Sequence, residues 1–300
     1  MHHALMRITI GAGLIAGTAA ILLGDLAVAR WAVRAAPGFW ILLVAALLTG
    51  CWEFLRMLRQ AGHPVRPVIA MVFVVLLVAS AGLDIYRVWD ILPWLHMRGL
   101  ELYLLLIVAL IFTTFLAEII RVERTDGTML RALTAVCWTT LVVLTVGLLG
   151  VFLAKVRFLP ADSAEGLLYL ALVLAVVKGS DIGAYAFGST LGRHWLVPKL
   201  SPKKTVEGLV GALAVGTGLA LAIGVGWGRF NWIEMLIFGI AVSTSSILGD
   251  LAESLIKRAC GVKDSGSIPG FGGALDILDS MLAAAPVAYL VLVLLTGPVR

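Results

Sequence analysis

The chain has 300 residues, of which 61% are hydrophobic and 14% charged, and its mean hydropathy is +1.03. A composition this apolar excludes a soluble globular protein and is typical of a chain that crosses a membrane several times. The net charge of +5 comes from basic residues scattered over loops, which argues against a nucleic-acid partner and favours attraction to anionic lipid or nucleotide.

Nine mainly apolar stretches are each long enough to predict a transmembrane helix. The predicted spans are 8–29, 37–58, 65–84, 100–120, 132–153, 164–186, 209–227, 231–252 and 275–296. Short loops connect them, without a long linker or an internal repeat. We therefore expect an all-α polytopic membrane protein with one transmembrane domain over 1–300. In that domain, the N-terminal helices of 1–160 are expected to differ in role from the C-terminal helices and loops of 161–300, which include the most polar loops.

The distribution of Lys and Arg predicts the orientation of these spans. The N-terminal side and the even-numbered loops carry more basic residues than the odd-numbered loops, which places the N-terminus in the cytoplasm. The two most polar stretches, 181–208 and 249–280, fall in the sixth and eighth loops. Both are therefore predicted to face the cytoplasm, where soluble nucleotides are abundant.

The first polar stretch begins near the end of the sixth predicted helix. Lys178 and Asp181 are three residues apart and share a helical face, so Asp181 is either a metal ligand or the ion-pair partner of Lys178. Glycines and the segment 201–205, which contains two adjacent lysines, follow. This segment predicts a binding site for phosphate oxygens or, alternatively, a solvated loop with a helix N-cap at Ser201 or Thr205.

The second polar stretch places acids on two successive helices. Asp250 and Glu253 are three residues apart, as are Asp276 and Asp279, and a glycine-rich loop lies between the pairs. Carboxylates that meet at a membrane face are costly unless they are neutralised, and Mg²⁺ neutralises them well. The alternative is that they pair with the neighbouring basic side chains, namely Lys257, Arg258 and Lys263. With no Ser-His-Asp motif visible, direct attack of one phosphate on another is favoured.

These stretches contain an ordered series of short motifs. The second reads Ser254-x-x-Lys257-Arg258, Lys263-Asp264, Pro269-Gly270-Phe271-Gly272-Gly273, Asp276-Ile277 and Asp279-Ser280. The first reads Asp181, Ala184-Tyr185, Gly188, Gly192, Ser201-Pro202-Lys203-Lys204-Thr205 and Glu207-Gly208. Over roughly 178–282 the chain thereby resembles the phosphatidate cytidylyltransferase (CDP-diacylglycerol synthase) family, whose signature is close to S-x-x-K-R-x4-K-D-x5-PGHGG-x2-DR-x-DS.

The resemblance implies a nucleotidyltransferase that makes CDP-diacylglycerol and pyrophosphate from CTP and phosphatidic acid. It also implies Mg²⁺, with a second cation such as K⁺ beside it, and an integral protein of a bacterial inner (cell) membrane. By position, the implied catalytic residues are Asp250, Asp276, Asp279, Lys257 and Lys263. The implied metal ligands are Asp181, Asp250, Asp276 and Asp279. The implied substrate-binding residues are Ser201, Lys203, Lys204, Thr205, Glu207, Ser254, Arg258, Gly272 and Gly273.

Two positions depart from the family pattern, since Phe271 replaces its His and Ile277 replaces the Arg of its DR pair. They leave other functions open: a related CTP-dependent lipid transferase or lipid kinase, or a low-activity paralogue that binds nucleotide or lipid. A transporter that relays ions through intramembrane acids is disfavoured because the acids crowd at one face. Small residues throughout the helices permit close packing and leave a homodimer open.

Overall fold

The computed structural model of the protein describes residues 16–27, 36–86, 99–125, 128–266 and 272–297. Within these ranges, a short apolar helix α1 (Ala16–Ala27) precedes eight helices that are long and apolar enough to cross a membrane. These are α2 (Pro37–Gln60), α3 (Pro67–Ile85), α4 (Gly99–Arg124), α5 (Met129–Arg157), α6 (Ser163–Leu191), α7 (Val206–Val225), α8 (Trp232–Ala259) and α9 (Ala274–Thr296).

The prediction of an all-α polytopic membrane protein is confirmed by these helices. Eight of the nine predicted spans correspond to them, and the first predicted span, 8–29, falls within the described residues only over α1. Several helices extend past their predicted ends, and α6 and α8 do so by the most, since they end at Leu191 instead of 186 and at Ala259 instead of 252. Asp181 and Asp250 therefore lie on regular helix, where their positions are fixed by the helical backbone.

Local chemistry accounts for several helix starts. Pro37 and Pro67 begin α2 and α3, where the fixed φ of proline suits the first turn. The side chains of Asp162 and Thr205 accept hydrogen bonds from first-turn amides at 3.0 and 3.1 Å, and so cap α6 and α7. The predicted N-cap at Thr205 is confirmed, whereas Ser201 begins a strand.

A β-hairpin connects α6 to α7, where the sequence predicted only a loop. Its strands are β1 (Trp195–Val197) and β2 (Ser201–Thr205), and they pair antiparallel, with Val197 opposite Ser201. The turn is closed by a hydrogen bond of 3.0 Å from Leu200 N to the carbonyl oxygen of Val197. β1 has only three residues, all apolar, and β2 has five mainly polar ones, so neither strand shows an alternating hydrophobic pattern and the pairing was not visible in the sequence.

The chain divides into two compact units. The first comprises residues 1–155 and 260–276, and the second comprises 156–259 and 277–300. The boundary at 155 lies close to the predicted change of role at 160, but the segment 260–276 belongs to the first unit. The assignment of residues 1–300 to a single domain stays a prediction.

In the first unit, a buried acid fixes the start of α2. The two carboxylate oxygens of Asp25 on α1 accept hydrogen bonds from Gly38 N at 2.9 Å and Phe39 N at 2.8 Å. A carboxylate is favoured there because the amides at a helix N-terminus are unpaired and carry partial positive charge. Deeper in the unit, α2, α3 and α5 contribute buried apolar side chains such as Leu47, Leu77 and Val146.

In the second unit, the core consists of apolar side chains from α6 to α9. Tyr169 on α6, Phe238 on α8 and Leu292 on α9 are almost completely buried in one cluster. Glycines bring the backbones of these helices together, since a side chain at Gly183 on α6 would collide with the carbonyl oxygen of Gly211 on α7. This packing holds the ends of α6 and α8, with their polar residues, in fixed positions.

We predict that Gly183→Ala destabilises the protein, because the new Cβ can be accommodated only if α6 and α7 separate. Overpacking of this kind costs about 1–3 kcal/mol. The matched control is Gly218→Ala on α7, where a Cβ meets nothing within 4 Å. Thermal unfolding in detergent should show a lower midpoint for Gly183→Ala alone, and equal midpoints for the two variants would contradict the packing argument.

Candidate functional site

Three carboxylates of the second unit lie within metal-binding reach of one another. Asp250 and Glu253 are on α8 and Asp279 is on α9, and one carboxylate oxygen from each lies within 4.8 Å of the other two. We call these residues the carboxylate cluster. The described residues contain no other group of three or more His, Cys, Asp or Glu side chains with this geometry. Glu253 completes a set of which the sequence had proposed only the two aspartates as ligands.

A glycine and a serine make the close approach of α8 and α9 possible. A side chain at Gly249 would collide with the Cβ of Ala283 and lie 2.9 Å from the carbonyl oxygen of Asp279. Ser245, one turn earlier on α8, donates a hydrogen bond of 2.7 Å to the carbonyl oxygen of Ala283. The residue adjacent to Asp250 is therefore glycine because the two helices touch there, and this contact brings Asp279 to the acids of α8.

The acids of the cluster range from buried to partly exposed. The side chain of Glu253 is 7% exposed, and those of Lys257 and Asp250 are 12% and 39% exposed. Like charges about 4 Å apart repel by about 4 kcal/mol in surroundings of intermediate polarity. Three neighbouring carboxylates are therefore unstable as free anions, and cations or protons must neutralise them.

Two lysines supply part of that neutralisation. Lys257 Nζ lies 2.7 Å from Glu253 Oε2, and Lys204 Nζ lies 2.9 Å from Asp250 Oδ2. The other oxygen of Glu253, Oε1, is buried and has no hydrogen-bond partner among the described residues. A buried carboxylate oxygen of this kind, beside two further carboxylates, is a chemically suitable ligand for a hard cation.

Asp181 is already paired with a lysine of its own helix. Lys178 Nζ lies 3.1 Å from Asp181 Oδ2 and also donates a hydrogen bond of 3.3 Å to the carbonyl oxygen of Ile277. The ion-pair alternative from the sequence is thus present in the structure. Asp181 does not belong to the carboxylate cluster, and its assignment as a metal ligand stays a prediction.

The hairpin brings basic residues to the end of α8. Lys204 on β2 reaches Asp250, whereas Lys203 beside it is exposed. Arg258 is also exposed, and its Nε donates a hydrogen bond of 3.4 Å to the carbonyl oxygen of Leu200 in the hairpin turn. Cationic side chains that sequence analysis proposed for phosphate binding therefore lie together in the second unit, on the hairpin and on α8.

Glu207, which was proposed to bind substrate, has several partners inside the protein. Its Oε2 accepts hydrogen bonds from the backbone amides of Arg193 and His194 at 3.1 and 3.2 Å, and its Oε1 lies 2.6 Å from His194 Nδ1. These contacts fix the entry to the hairpin. In the structure, Glu207 thus holds the loop in shape, and its contact with substrate stays a prediction.

Asp276 lies in the first unit, where its carboxylate organises the loop before α9. Asp276 Oδ2 accepts hydrogen bonds from Ser265 N and Ser265 Oγ, both at 2.9 Å, and from Gly273 N at 2.6 Å. Gly272 has a φ of +80°, and a side chain there would collide with the Asp276 carboxylate. The glycine and the aspartate of the motif therefore have a structural reason to occur together.

Glu53 is an acid that sequence reasoning missed. It lies on α2, and its Oε1 accepts a hydrogen bond from Ala274 N at 3.0 Å, while its Oε2 accepts from Leu275 N at 2.9 Å and Ser265 Oγ at 3.0 Å. Its carboxylate thus caps the N-terminus of α9 and leaves no room for a side chain at Gly273. The available signal was a lone acid within an apolar helix, which ordinarily marks a specific role.

The remaining proposed residues are distributed as follows. Ser254 and Ser201 are half-buried in the second unit, Lys263 is exposed in the first unit, and Ile277 is half-buried at the start of α9. Phe271, the other departure from the family pattern, lies outside the described residues. The side chain of Ile277 offers no hydrogen-bonding group, so only its carbonyl oxygen contributes a polar contact, to Lys178.

We predict that Glu53→Gln lowers the stability of the protein. The side chain of Gln has only one acceptor oxygen, and its NH₂ group would face a backbone N–H group. At least one backbone N–H group therefore loses its acceptor, at a cost of about 1–3 kcal/mol. Glu123→Gln on α4 is the control, because Glu123 is exposed. The measurement is thermal unfolding in detergent, and an unchanged midpoint for Glu53→Gln would show that the cap contributes no stability.

Comparison with known proteins finds relatives that match nearly the whole chain. The sequence profile described as "Cytidylyltransferase family" matches residues 7–295. A protein named phosphatidate cytidylyltransferase from Mycobacterium bovis is 33% identical over 265 residues, which cover 86% of this chain and 82% of the relative. A protein of the same name from Mycobacterium tuberculosis (strain ATCC 25618 / H37Rv) has the same identity, covering 86% of this chain and 76% of the relative.

A third relative shows higher identity over a shorter region. The phosphatidate cytidylyltransferase of Synechocystis sp. is 44% identical over 142 residues, which cover 45% of this chain and 47% of that protein. Similarity is thus present along nearly the whole chain and is stronger over part of it.

Proposed function

The chain belongs to the cytidylyltransferase family, and from this membership we infer that it transfers CMP from CTP to phosphatidate, which yields CDP-diacylglycerol and pyrophosphate. This activity is stated in the names of two relatives that align with this chain over most of their own length. The observation in the structure that supports it is the carboxylate cluster beside lysines, since nucleotidyl transfer requires a cation and positive side chains around phosphates. The eight apolar helices give an integral membrane protein, which has direct access to a lipid substrate in the bilayer.

We propose that Asp250, Glu253 and Asp279 hold a Mg²⁺ ion. The fit rests on three carboxylate oxygens within 4.8 Å of one another and on the buried Oε1 of Glu253, which has no hydrogen-bond partner among the described residues. When bound, Mg²⁺ would neutralise negative charge on the triphosphate and on the departing pyrophosphate. A second cation such as K⁺ stays a prediction, as do Asp181 and Asp276 as ligands.

The lysines of the second unit are proposed to bind the phosphates. Lys204 and Lys257 are next to the cluster through their ion pairs with Asp250 and Glu253, so their ammonium groups can reach any phosphate that approaches these acids. Lys178 is in the same unit on α6, and it contacts the start of α9 through its hydrogen bond to the Ile277 carbonyl oxygen. Three ammonium groups can stabilise charge that accumulates on transferring oxygens.

The proposed chemistry is one direct displacement. A phosphate oxygen of phosphatidate attacks the α-phosphorus of CTP and forms a new P–O bond. The bond from the α-phosphorus to the oxygen that bridges it to the β-phosphorus breaks, and its electron pair departs with pyrophosphate. The role of the protein is to position the two phosphates in line and to neutralise their charge, which requires no protein nucleophile.

We further propose that this site faces the cytoplasm in a bacterial inner membrane. The proposal is supported by the distribution of Lys and Arg over the loops, which favours a cytoplasmic position for the hairpin and for the end of α8. In this orientation, CTP reaches the site from the cytoplasm and the lipid substrate reaches it within the bilayer.

We predict that purified protein in lipid nanodiscs releases pyrophosphate from CTP only when phosphatidate and Mg²⁺ are both present. Asp279→Asn should lower turnover by about a hundredfold or more, because it removes a charged ligand of the proposed Mg²⁺ ion. The control is Asp162→Asn, since asparagine caps a helix as well as aspartate does and Asp162 is exposed. Release of CDP, and not of pyrophosphate, when diacylglycerol replaces phosphatidate would instead identify a lipid kinase.

We predict separately that Glu253→Gln weakens metal binding while the fold is retained. Gln has nearly the same shape as Glu but carries no charge, so the cluster loses a ligand and the mutual repulsion of the acids decreases. Mn²⁺ affinity, measured by electron paramagnetic resonance without nucleotide, should fall by about tenfold or more. Unchanged Mn²⁺ affinity relative to Asp162→Asn would refute the proposed site, whatever the effect on turnover.

A further inference from the structure

Four arginines of the first unit converge on one cavity that the proposed reaction does not use. Arg59 lies in the last turn of α2, Arg66 directly precedes α3, Arg121 lies in the last turn of α4, and Arg131 lies in the first turn of α5. All four line a cavity of about 260 Å³. We call them the arginine cluster. Because they come from four separate segments, the fold itself brings them together.

The arginine cluster is only partly neutralised within the protein. Glu118 on α4 is almost fully buried, pairs with Arg66 Nε and lies 3.7 Å from Arg121 Nη1. The described residues that line the cavity include no carboxylate. Four guanidinium groups around one small cavity repel one another, so an anion that enters it gains a large electrostatic attraction.

One of the arginines that line the cavity has a donor without an acceptor. Nη2 of Arg66 is buried and has no hydrogen-bond partner among the described residues. The backbone of Arg66 is itself held in place, because its amide donates a hydrogen bond of 3.0 Å to Thr139 Oγ1 on α5. A fixed guanidinium with a free, buried N–H group is suited to an anionic oxygen, and phosphate matches its planar geometry.

An apolar surface continues from the cavity along α2. A second cavity, also of about 260 Å³, shares Arg59 with the first and is further lined by Trp52, Leu55, Arg56 and Gln60. Trp52 is half exposed, although it lies on a helix that spans the membrane. Tryptophan next to arginine is typical of the membrane interface, where a polar headgroup meets acyl chains. A free phosphate ion would use only the first cavity, whereas an amphiphile would occupy both.

We propose that the arginine cluster binds the phosphate of an anionic phospholipid, with the acyl chains of the lipid lying along the exposed side chain of Trp52. The lipid headgroup places its phosphate between Arg59, Arg66 and Arg131. The acyl chains continue over the exposed surface of α2. This binding requires neither CTP nor Mg²⁺, so its presence or absence is measured independently of the proposed transferase activity.

The test is native mass spectrometry of the full-length protein in detergent, after delipidation and titration with phosphatidylglycerol or phosphatidylcholine. We expect phosphatidylglycerol to bind more tightly. Arg59→Gln and Arg131→Gln should each weaken its binding by about fivefold, the effect of one basic residue near an anionic lipid. Arg124→Gln is the matched control, because Arg124 also lies in the last turn of α4 but is exposed and does not line the cavity.

Three outcomes would overturn the proposal. Equal binding of the two lipids would remove the requirement for an anionic headgroup. An equal loss with Arg124→Gln would show that overall surface charge, and not the cavity, attracts the lipid. Displacement of bound phosphatidylglycerol by an equimolar amount of inorganic phosphate would identify a site for free anions. Thermal unfolding of each variant confirms that it is folded before binding is compared.

Discussion

The proximity of three carboxylates on two membrane-spanning helices is the constraint on which the second unit depends. Bringing Asp279 within 4.8 Å of the acids of α8 requires the backbones to touch, which only a glycine at position 249 permits. It also requires cations, because carboxylates removed from water are unstable without them. Lys257 comes from the same helix, but Lys204 comes from the hairpin, so the neutralisation ties separate elements to one point.

Two pairs of acids in this protein differ in what their oxygens contact. Asp25 and Glu53 use both carboxylate oxygens to accept hydrogen bonds from backbone amides at the start of a helix. Such contacts are fixed by the backbone, and these acids serve the fold. Asp250 and Glu253 instead contact mobile ammonium groups, and Glu253 keeps one oxygen unbonded in the described structure. Only the second pair can change partners without unfolding a helix.

The sequence was sufficient for the fold class and for part of the site. Apolar runs predicted eight of the long helices because length and hydropathy are local properties. Three-residue spacing placed Glu253 on the same face as Asp250 for the same reason. The contact of α8 with α9 at Gly249, and the cap that Glu53 supplies to α9, join residues distant in sequence, and no local pattern encodes them. The hairpin was not predicted because its strands, of three and five residues, are too short to show a repeating hydrophobic pattern.

The pairing of acids with lysines also fits the proposed reaction. Separating an ion pair at a partly buried site is costly unless each ion acquires a new partner of opposite charge. In the proposed complex, Asp250 and Glu253 would hold the cation in place of ammonium groups, and Lys204 and Lys257 would hold phosphate oxygens in place of carboxylates. The number of opposite-charge contacts is conserved throughout. A site built from preformed lysine–carboxylate pairs can therefore stay stable while empty and still accept a highly charged substrate.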